Sequence, residues 1–245
     1  MPRTSRELSP TGCYHIIIRG VNRQNIVHDD EDRLKLIETL RRYCTGPDVT
    51  LVAYCLMDNH LHLLLRVEDG VSMLVKKVAS SYVYYFNHKY DRIGHLFQDR
   101  YKSEAVNSDD YLLTVARYIL QNPLKAGLCG IKDYRWSSWA EIETNDGLCD
   151  TQVLCECVGD RQSLLAYCLT PSDDTCLDIR ESKAIRDDEA RSVLCRIARM
   201  NNPSDIATLE KHRRNTVLAQ AKAKGLSVRQ ISRITGLERN IVQRA

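Results

Sequence analysis

Strand and helix signals alternate through the first 140 residues, and this alternation limits the folds available to the chain. Four segments have the short apolar or extended pattern of strands: residues 14–19, 49–56, 60–67 and 94–106. Helical periodicity marks residues 29–44 and 71–90, and a third helix begins behind Ser108. The order β-α-β-β-α-β-α predicts an α+β fold, a ferredoxin-like split-βαβ antiparallel sheet with one extra helix. We expect the helices to pack on one face of the sheet, with residues 14–19 and 60–67 as its central strands.

The predicted strand at residues 60–67 carries two histidines separated by one leucine. Side chains alternate faces along a strand, so His60 and His62 point the same way while Leu61 points into the core. Two neutral imidazoles side by side can hold one divalent cation. A His-x-His triplet on a half-buried sheet also occurs without a metal, so this pair alone leaves both interpretations open.

The helix behind Ser108 places Tyr118 and Asn122 one turn apart on the same face, and we expect Asn122-Pro123 to end it. If this helix packs beside the histidines, the Asn122 carboxamide oxygen completes a site of two nitrogens and one oxygen, which suits Mg²⁺ or Mn²⁺. A phenol is a poor nucleophile near its ordinary pKa of about 10, and a metal that polarises a phosphate makes its attack feasible. The chain has twelve tyrosines, and spacing alone does not select Tyr118.

Four ordered motifs resemble those of the single-tyrosine HUH transposases, in particular the REP-associated tyrosine transposases. They are residues 14–24 (YHIIIRGVNRQ), 58–62 (DNHLH), 94–103 (GHLFQDRYKS) and 118–127 (YILQNPLKAG). The resemblance extends over residues 8–140. Asp58 stands where that family commonly has proline, and Asn122 stands where some relatives have glutamine.

The resemblance implies a metal-dependent nuclease and strand transferase that acts on single-stranded, hairpin-forming DNA. It implies that His60, His62 and Asn122 are the metal ligands. It also implies that Tyr118 becomes linked to a 5′-phosphate and leaves a free 3′-OH, with no need for a nucleotide cofactor. A catalytically inert DNA- or RNA-binding regulator derived from the same fold is the alternative. A monomer and a homodimer both remain open.

Charge is distributed unevenly along the chain, although the formal net charge is only +3. Residues 141–189 carry thirteen acidic and four basic side chains, whereas residues 211–245 carry nine basic side chains and one acidic one. We therefore predict a nuclease domain over residues 1–140, an acidic connector over 141–190 and a helical DNA-binding domain over 191–245. A basic segment of this kind suits nucleic acid, and the alternative is a solvated basic helix.

The basic C-terminal stretch has the pattern of a helix-turn-helix. Ser227 can cap a short helix, Gly236 can make the turn, and Glu238 opens a second helix. A generic three-helix cap is the alternative. The side chains that we expect to contact DNA, in both domains, are Arg19, Arg23, Arg100, Lys102, Lys125, Arg229, Arg239, Asn240, Gln243 and Arg244.

Two further features bear on the cellular compartment. No stretch approaches the ~20 apolar residues of a membrane span, and the N-terminal residues lack the apolar centre of a signal peptide. The ten cysteines are scattered without a C-x2-C pair, which does not favour a zinc site. We expect a cytoplasmic protein with reduced, mostly buried thiols.

Overall fold

The computed structural model describes residues 7–98, 100–178 and 187–245. The chain divides into two compact units, residues 1–179 and 180–245. The first unit is a mixed α/β fold around a five-stranded antiparallel sheet in the order β2-β3-β4-β1-β5. Its strands are β1 (Cys13–Arg19), β2 (Thr45–Gly46), β3 (Val49–Leu56), β4 (His60–Val67) and β5 (Lys102–Val106). As predicted, β1 and β4 pair with each other inside the sheet.

Seven α-helices belong to the described part of this unit. They are α1 (Asp30–Tyr43), α2 (Val71–Lys89), α3 (Asp109–Leu120), α4 (Asn122–Lys125), α5 (Trp139–Thr144), α6 (Gln152–Val158) and α7 (Arg161–Leu169). Short 3-10 turns occupy Val21–Arg23 and Ile131–Asp133. Asp29 and Ser108 cap α1 and α3, since each side chain accepts a hydrogen bond from a backbone N–H three residues later.

Helices cover both faces of the sheet, so the expectation of one covered face was wrong. Helices α1 and α2 pack on the face that carries Ile16 and Leu63, while α3 packs on the face that carries Cys13 and Leu64. The physical reason is that β1 and β4 are buried on both faces, with Ile16 and Leu63 on one face and Cys13 and Leu64 beside the buried histidines on the other. A strand buried on both sides has a nearly continuous apolar run and needs a second covering layer.

The break after α3 differs in detail from the prediction. Helix α3 ends at Leu120, and Pro123 lies in the first turn of α4 rather than terminating the helical path. Proline suits this position because its missing N–H is not needed there. The Asn122 Nδ2 donates to the carbonyls of Tyr118 at 2.9 Å and Ile119 at 3.4 Å. The asparagine side chain thus helps to satisfy the carbonyls at the end of α3.

Much of the predicted acidic connector, residues 141–190, lies in helices of the first unit. Helices α5, α6 and α7 bury Ile142, Leu154 and Leu164 in the same apolar cluster as α3. The boundary between the two compact units falls at residues 179 and 180, within the predicted connector. Net acidity describes the exposed surface of this stretch, and its apolar positions complete the layer behind α3.

The second unit is helical. It contains α8 (Asp187–Ala198), a 3-10 segment (Pro203–Thr208), α9 (Lys211–Ala223), α10 (Val228–Thr235) and α11 (Arg239–Arg244). Ile231, Ile234, Leu237 and Val242 are buried in its core with residues from α8 and α9. Gly236 follows α10 with φ +76°, a left-handed conformation that glycine adopts without steric cost. Across the described parts of the chain, no helix is long and apolar enough to cross a bilayer.

Candidate active site

Strand β4 places His60 and His62 on one face of the sheet, with ring centroids 4.9 Å apart. His62 is fully buried, and its Nε2 has no hydrogen-bond partner among the described residues. A buried polar nitrogen without a partner costs free energy unless a ligand uses it. The donor set of the histidine pair therefore fits a bound divalent metal.

Burial keeps both imidazoles neutral. It lowers the pKa of His60 to about 4, and the positive charge of Arg19, which pairs with His60 across β1 and β4, adds to the effect. Burial also lowers the pKa of His62 well below its ordinary value, with further contributions from His15 and His60. Neutral imidazole is the form that binds a metal, so both rings can offer a lone pair at neutral pH.

Helix α3 brings Tyr118 against the histidines. The ring centroid of Tyr118 lies 6.0 Å from that of His62, and the Lys125 Nζ lies 4.3 Å from the tyrosine ring centroid. Burial raises the pKa of Tyr118, and the nearby carboxylate of Asp178 raises it further by its charge and by accepting a hydrogen bond. The phenol is therefore protonated at neutral pH and needs activation before it can act as a nucleophile.

Among the described residues, the Asn122 carboxamide makes its hydrogen bonds through the nitrogen and not through the oxygen. Its Nδ2 is committed to the backbone carbonyls of Tyr118 and Ile119, so the Oδ1 is the carboxamide atom left for a ligand. No cluster of three or more histidine, cysteine, aspartate or glutamate side chains suited to a metal occurs in the described residues. A metal site at the histidine pair therefore needs a different third donor, and Asn122 is chemically suitable.

His15 and Glu104 adjoin the histidine pair and were not predicted. The His15 Nε2 lies 3.0 Å from the His62 Nδ1, and the His15 Nδ1 lies 3.8 Å from a Glu104 carboxylate oxygen. His15 faces Glu104 in the β1–β5 register. A histidine at an alternating position of a buried strand was the available signal for His15. The pairing with Glu104 depends on the register of a distant strand.

A segment after α7, residues 170–178, lies along α3 and β5 and was also not predicted. Gln121 donates to the carbonyl of Thr170 at 2.9 Å, and Arg117 forms an ion pair with Asp174 at 2.5 Å. The Lys102 Nζ donates to the carbonyl of Asp178 at 2.8 Å. These contacts hold a carboxylate, that of Asp178, beside the Tyr118 hydroxyl.

The ten predicted DNA-contacting side chains are divided equally between the two units, five in each. Arg19, Lys102 and Lys125 contact residues of the site, as described above. Arg100 lines a groove beside α2, and Arg23 is exposed in the turn after β1. The other five lie in the second unit and are all exposed: Arg229, Arg239, Asn240, Gln243 and Arg244.

The stretch that contains the histidines and Tyr118 also matches a known protein family. Residues 10–122 match the family model described as transposase, IS200-like. The match begins before β1 and ends at Asn122, so the matched stretch includes His15, both strand histidines, Glu104 and Tyr118.

Two solved structures are similar to part of the chain. A REP-associated tyrosine transposase bound to a REP hairpin is 19% identical with a TM-score of 0.47, and covers 62% of this chain and 90% of its own. A protein described as a transposase from Deinococcus radiodurans R1 is 22% identical with a TM-score of 0.35, and covers 48% of this chain and 95% of its own. No curated protein matches the chain significantly.

Proposed function

We propose that the chain is a metal-dependent single-stranded DNA endonuclease and strand transferase of the REP-associated, single-tyrosine HUH type. The observation that carries the proposal is the contact between Tyr118 and His62, inside the stretch that matches the IS200-like transposase family. A buried nucleophile against two neutral imidazoles is an arrangement suited to phosphodiester cleavage. The four sequence motifs support hairpin or repeat DNA as the substrate.

In this proposal His60, His62 and Asn122 hold Mg²⁺ or Mn²⁺. When bound, the metal polarises the scissile phosphate and neutralises the charge that develops on it. The Tyr118 oxygen attacks phosphorus, the bond from phosphorus to the 3′ oxygen breaks, and a 5′-phosphotyrosine forms. The phenolic proton passes to water, and the departing 3′ oxygen takes up a proton. The phosphotyrosine is an ester, so attack by another 3′-OH rejoins strands without a nucleotide cofactor.

Basic side chains supply the binding part of the proposal. Arg19 and Lys125 lie beside the candidate ligand His60 and the candidate nucleophile Tyr118, where they can neutralise DNA phosphates. The strand order and the β-α-β-β-α-β succession support a ferredoxin-like assignment for the domain.

We also propose that α10 and α11 form a helix-turn-helix that binds DNA. The glycine turn, the shared apolar core and four exposed polar side chains on α11 support this assignment: Arg239, Asn240, Gln243 and Arg244.

The decisive experiment is incubation of the protein with single-stranded hairpin DNA whose label lies on the 3′ side of the cleavage point. Denaturing gels then report a covalent protein–DNA band with Mn²⁺ and its loss with EDTA. Tyr118→Phe should abolish the band while DNA binding, measured by fluorescence anisotropy, is retained. Tyr84→Phe is the matched control, because Tyr84 is exposed on α2 and should form the adduct normally.

The alternative function predicts a different pattern. A catalytically inert regulator binds its target equally well with Mn²⁺ or EDTA and forms no adduct. Tight binding without an adduct across a broad hairpin panel would favour the regulator. An undiminished band in Tyr118→Phe would exclude Tyr118 as the nucleophile.

A further inference from the structure

Three buried or half-buried side chains, Glu104, His15 and His62, lie next to one another in a row that ends at His62. Glu104 on β5 faces His15 on β1, and His15 contacts His62 on β4. Both histidines have 0% relative exposure. Buried polar groups of this kind are retained in folded proteins when their hydrogen bonds form a consistent set. The protons on the ring nitrogens of His15 and His62 are therefore constrained in position.

The two ring nitrogens of each histidine have different surroundings. The contact of 3.0 Å joins the His15 Nε2 to the His62 Nδ1, so one of them donates and the other accepts. The outer nitrogens are the His15 Nδ1 and the His62 Nε2, and neither makes a hydrogen bond among the described residues. The His15 Nδ1 lies 3.8 Å from the negative charge of the Glu104 carboxylate, whereas no carboxylate in the described part of the chain forms an ion pair with the His62 Nε2. Two neutral rings allow only two proton arrangements.

The carboxylate of Glu104 distinguishes these arrangements. In the first, the His15 Nδ1–H points at the carboxylate, His62 donates from Nδ1, and the His62 Nε2 carries a lone pair. In the second, the His15 Nδ1 lone pair faces the carboxylate at 3.8 Å, and a buried His62 Nε2–H has no acceptor. The second arrangement combines electrostatic repulsion with an unsatisfied buried donor, so the first is favoured.

Glu104 is itself fixed in place. The backbone N–H of Leu177 donates to its carboxylate at 2.9 Å, and the Tyr111 hydroxyl lies within hydrogen-bonding contact. These donors hold the carboxylate ionised and oriented toward β1. The row of three side chains therefore begins at a charged carboxylate, which Leu177 and Tyr111 hold in place.

We propose that Glu104 and His15 are positioning residues that hold His62 in the tautomer whose Nε2 is free to bind the metal. This inference deepens the proposed function and rests on the metal site in it. Outer carboxylates and imidazoles commonly fix the tautomer of a metal-binding histidine, and their loss weakens metal binding about 10–100-fold. His15 would act through His62 and would not touch the metal or the DNA.

The first test is a measurement on the metal-free wild-type protein. Long-range ¹H–¹⁵N NMR correlations of histidine rings report the tautomer, and the exposed His88 and His95 serve as internal references. We expect His62 to carry its proton on Nδ1. A proton on the His62 Nε2 in the wild-type protein overturns the proposal, whether or not the protein binds metal.

The second test compares variants by Mn²⁺ affinity, read from the EPR signal of free Mn²⁺. His15→Leu removes the acceptor and should weaken binding about 10–100-fold, with His62 shifting toward the Nε2–H form. His15→Gln keeps an amide oxygen near the original Nε2 and should restore most of the affinity. A role in packing alone would give the opposite order, because leucine is the better apolar filler.

A third variant covers the case in which His15→Leu does not fold. Glu104 is partly exposed, so Glu104→Gln is a mild change, and its amide can face His15 with either oxygen or nitrogen. We expect it to mix the two His62 tautomers and to weaken Mn²⁺ binding. Unchanged tautomer and affinity in this variant contradict the proposal. Failure of the wild-type protein to bind Mn²⁺ contradicts the proposed function instead, and the NMR result distinguishes the two failures.

Discussion

Lowering the pH from 7 to 5 should destabilise the first unit through its neutral histidines. An unfolded histidine has a pKa near 6.5, whereas burial lowers the pKa of folded His60 to about 4. Between these values the unfolded chain binds more protons than the folded chain, so stability falls as the pH falls. The difference is about 2 kcal/mol for His60 between pH 7 and pH 5.

His62 should contribute a similar loss. Burial holds its pKa well below the ordinary value, so between pH 7 and pH 5 mainly the unfolded histidine takes up a proton. The loss of stability from His62 is therefore limited to about 2 kcal/mol. The pair together should therefore remove about 4 kcal/mol, a large share of the roughly 5–15 kcal/mol typical of a folded domain. The effect applies to the metal-free protein.

Urea unfolding in EDTA, followed by tryptophan fluorescence, measures this loss. Both tryptophans of the chain, Trp136 and Trp139, are buried in the first unit, so the signal reports on that unit. His60→Gln should lose about 2 kcal/mol less than the wild-type protein between pH 7 and pH 5. His88→Gln, at an exposed position, should match the wild-type protein. Equal losses in His60→Gln and the wild-type protein would refute the reasoning.

Three further predictions concern other contacts. Asn122→Ala removes the amide that bonds two carbonyls at the end of α3, so urea unfolding should show a loss of about 1 kcal/mol and EPR should show weaker Mn²⁺ binding. Unchanged values in both assays would rule out this role. Gly236→Ala places a side chain at φ +76° where a Cβ meets no atom within 4 Å, so backbone strain alone should cost about 1 kcal/mol. Thermal melting of the second unit by circular dichroism measures this cost, and an unchanged melting temperature would contradict it. Arg239→Gln should lower the slope of log K against log salt for duplex DNA by about 1 in fluorescence anisotropy, whereas exposed Arg42→Gln should not.

The sequence predicts the sheet well because period-two patterns and helix caps are local signals. The prediction of β3 and β4 at residues 49–56 and 60–67 agrees with the structure, and so does the helix that begins behind Ser108. The sequence also contains a signal that helices cover both faces of the sheet. Residues 14–18 and 61–65 are nearly continuous apolar runs, which are typical of strands buried on both sides.

The parts that escaped prediction depend on distant pairing. Glu104 meets His15 only because β5 pairs with β1 in one register, and a shift of one residue would turn Glu104 to the other face. Asp178 reaches Tyr118 through a segment that follows three helices. The surrounding stretch, residues 141–190, was predicted from its net charge. Net charge does not register single apolar positions such as Leu154 and Leu164, which pack these helices against the core.

The way α3 is held has a consequence for how activity should depend on protein concentration. The helix buries Leu112, Val115 and Ile119 in the core, and Gln121 and Arg117 attach its end to the 168–174 stretch. In the chain that the structure describes, Tyr118 and His62 meet within one polypeptide. If the active protein keeps this arrangement, the yield of adduct per molecule should stay constant on dilution. A helix exchanged between two copies would instead make the yield fall on dilution.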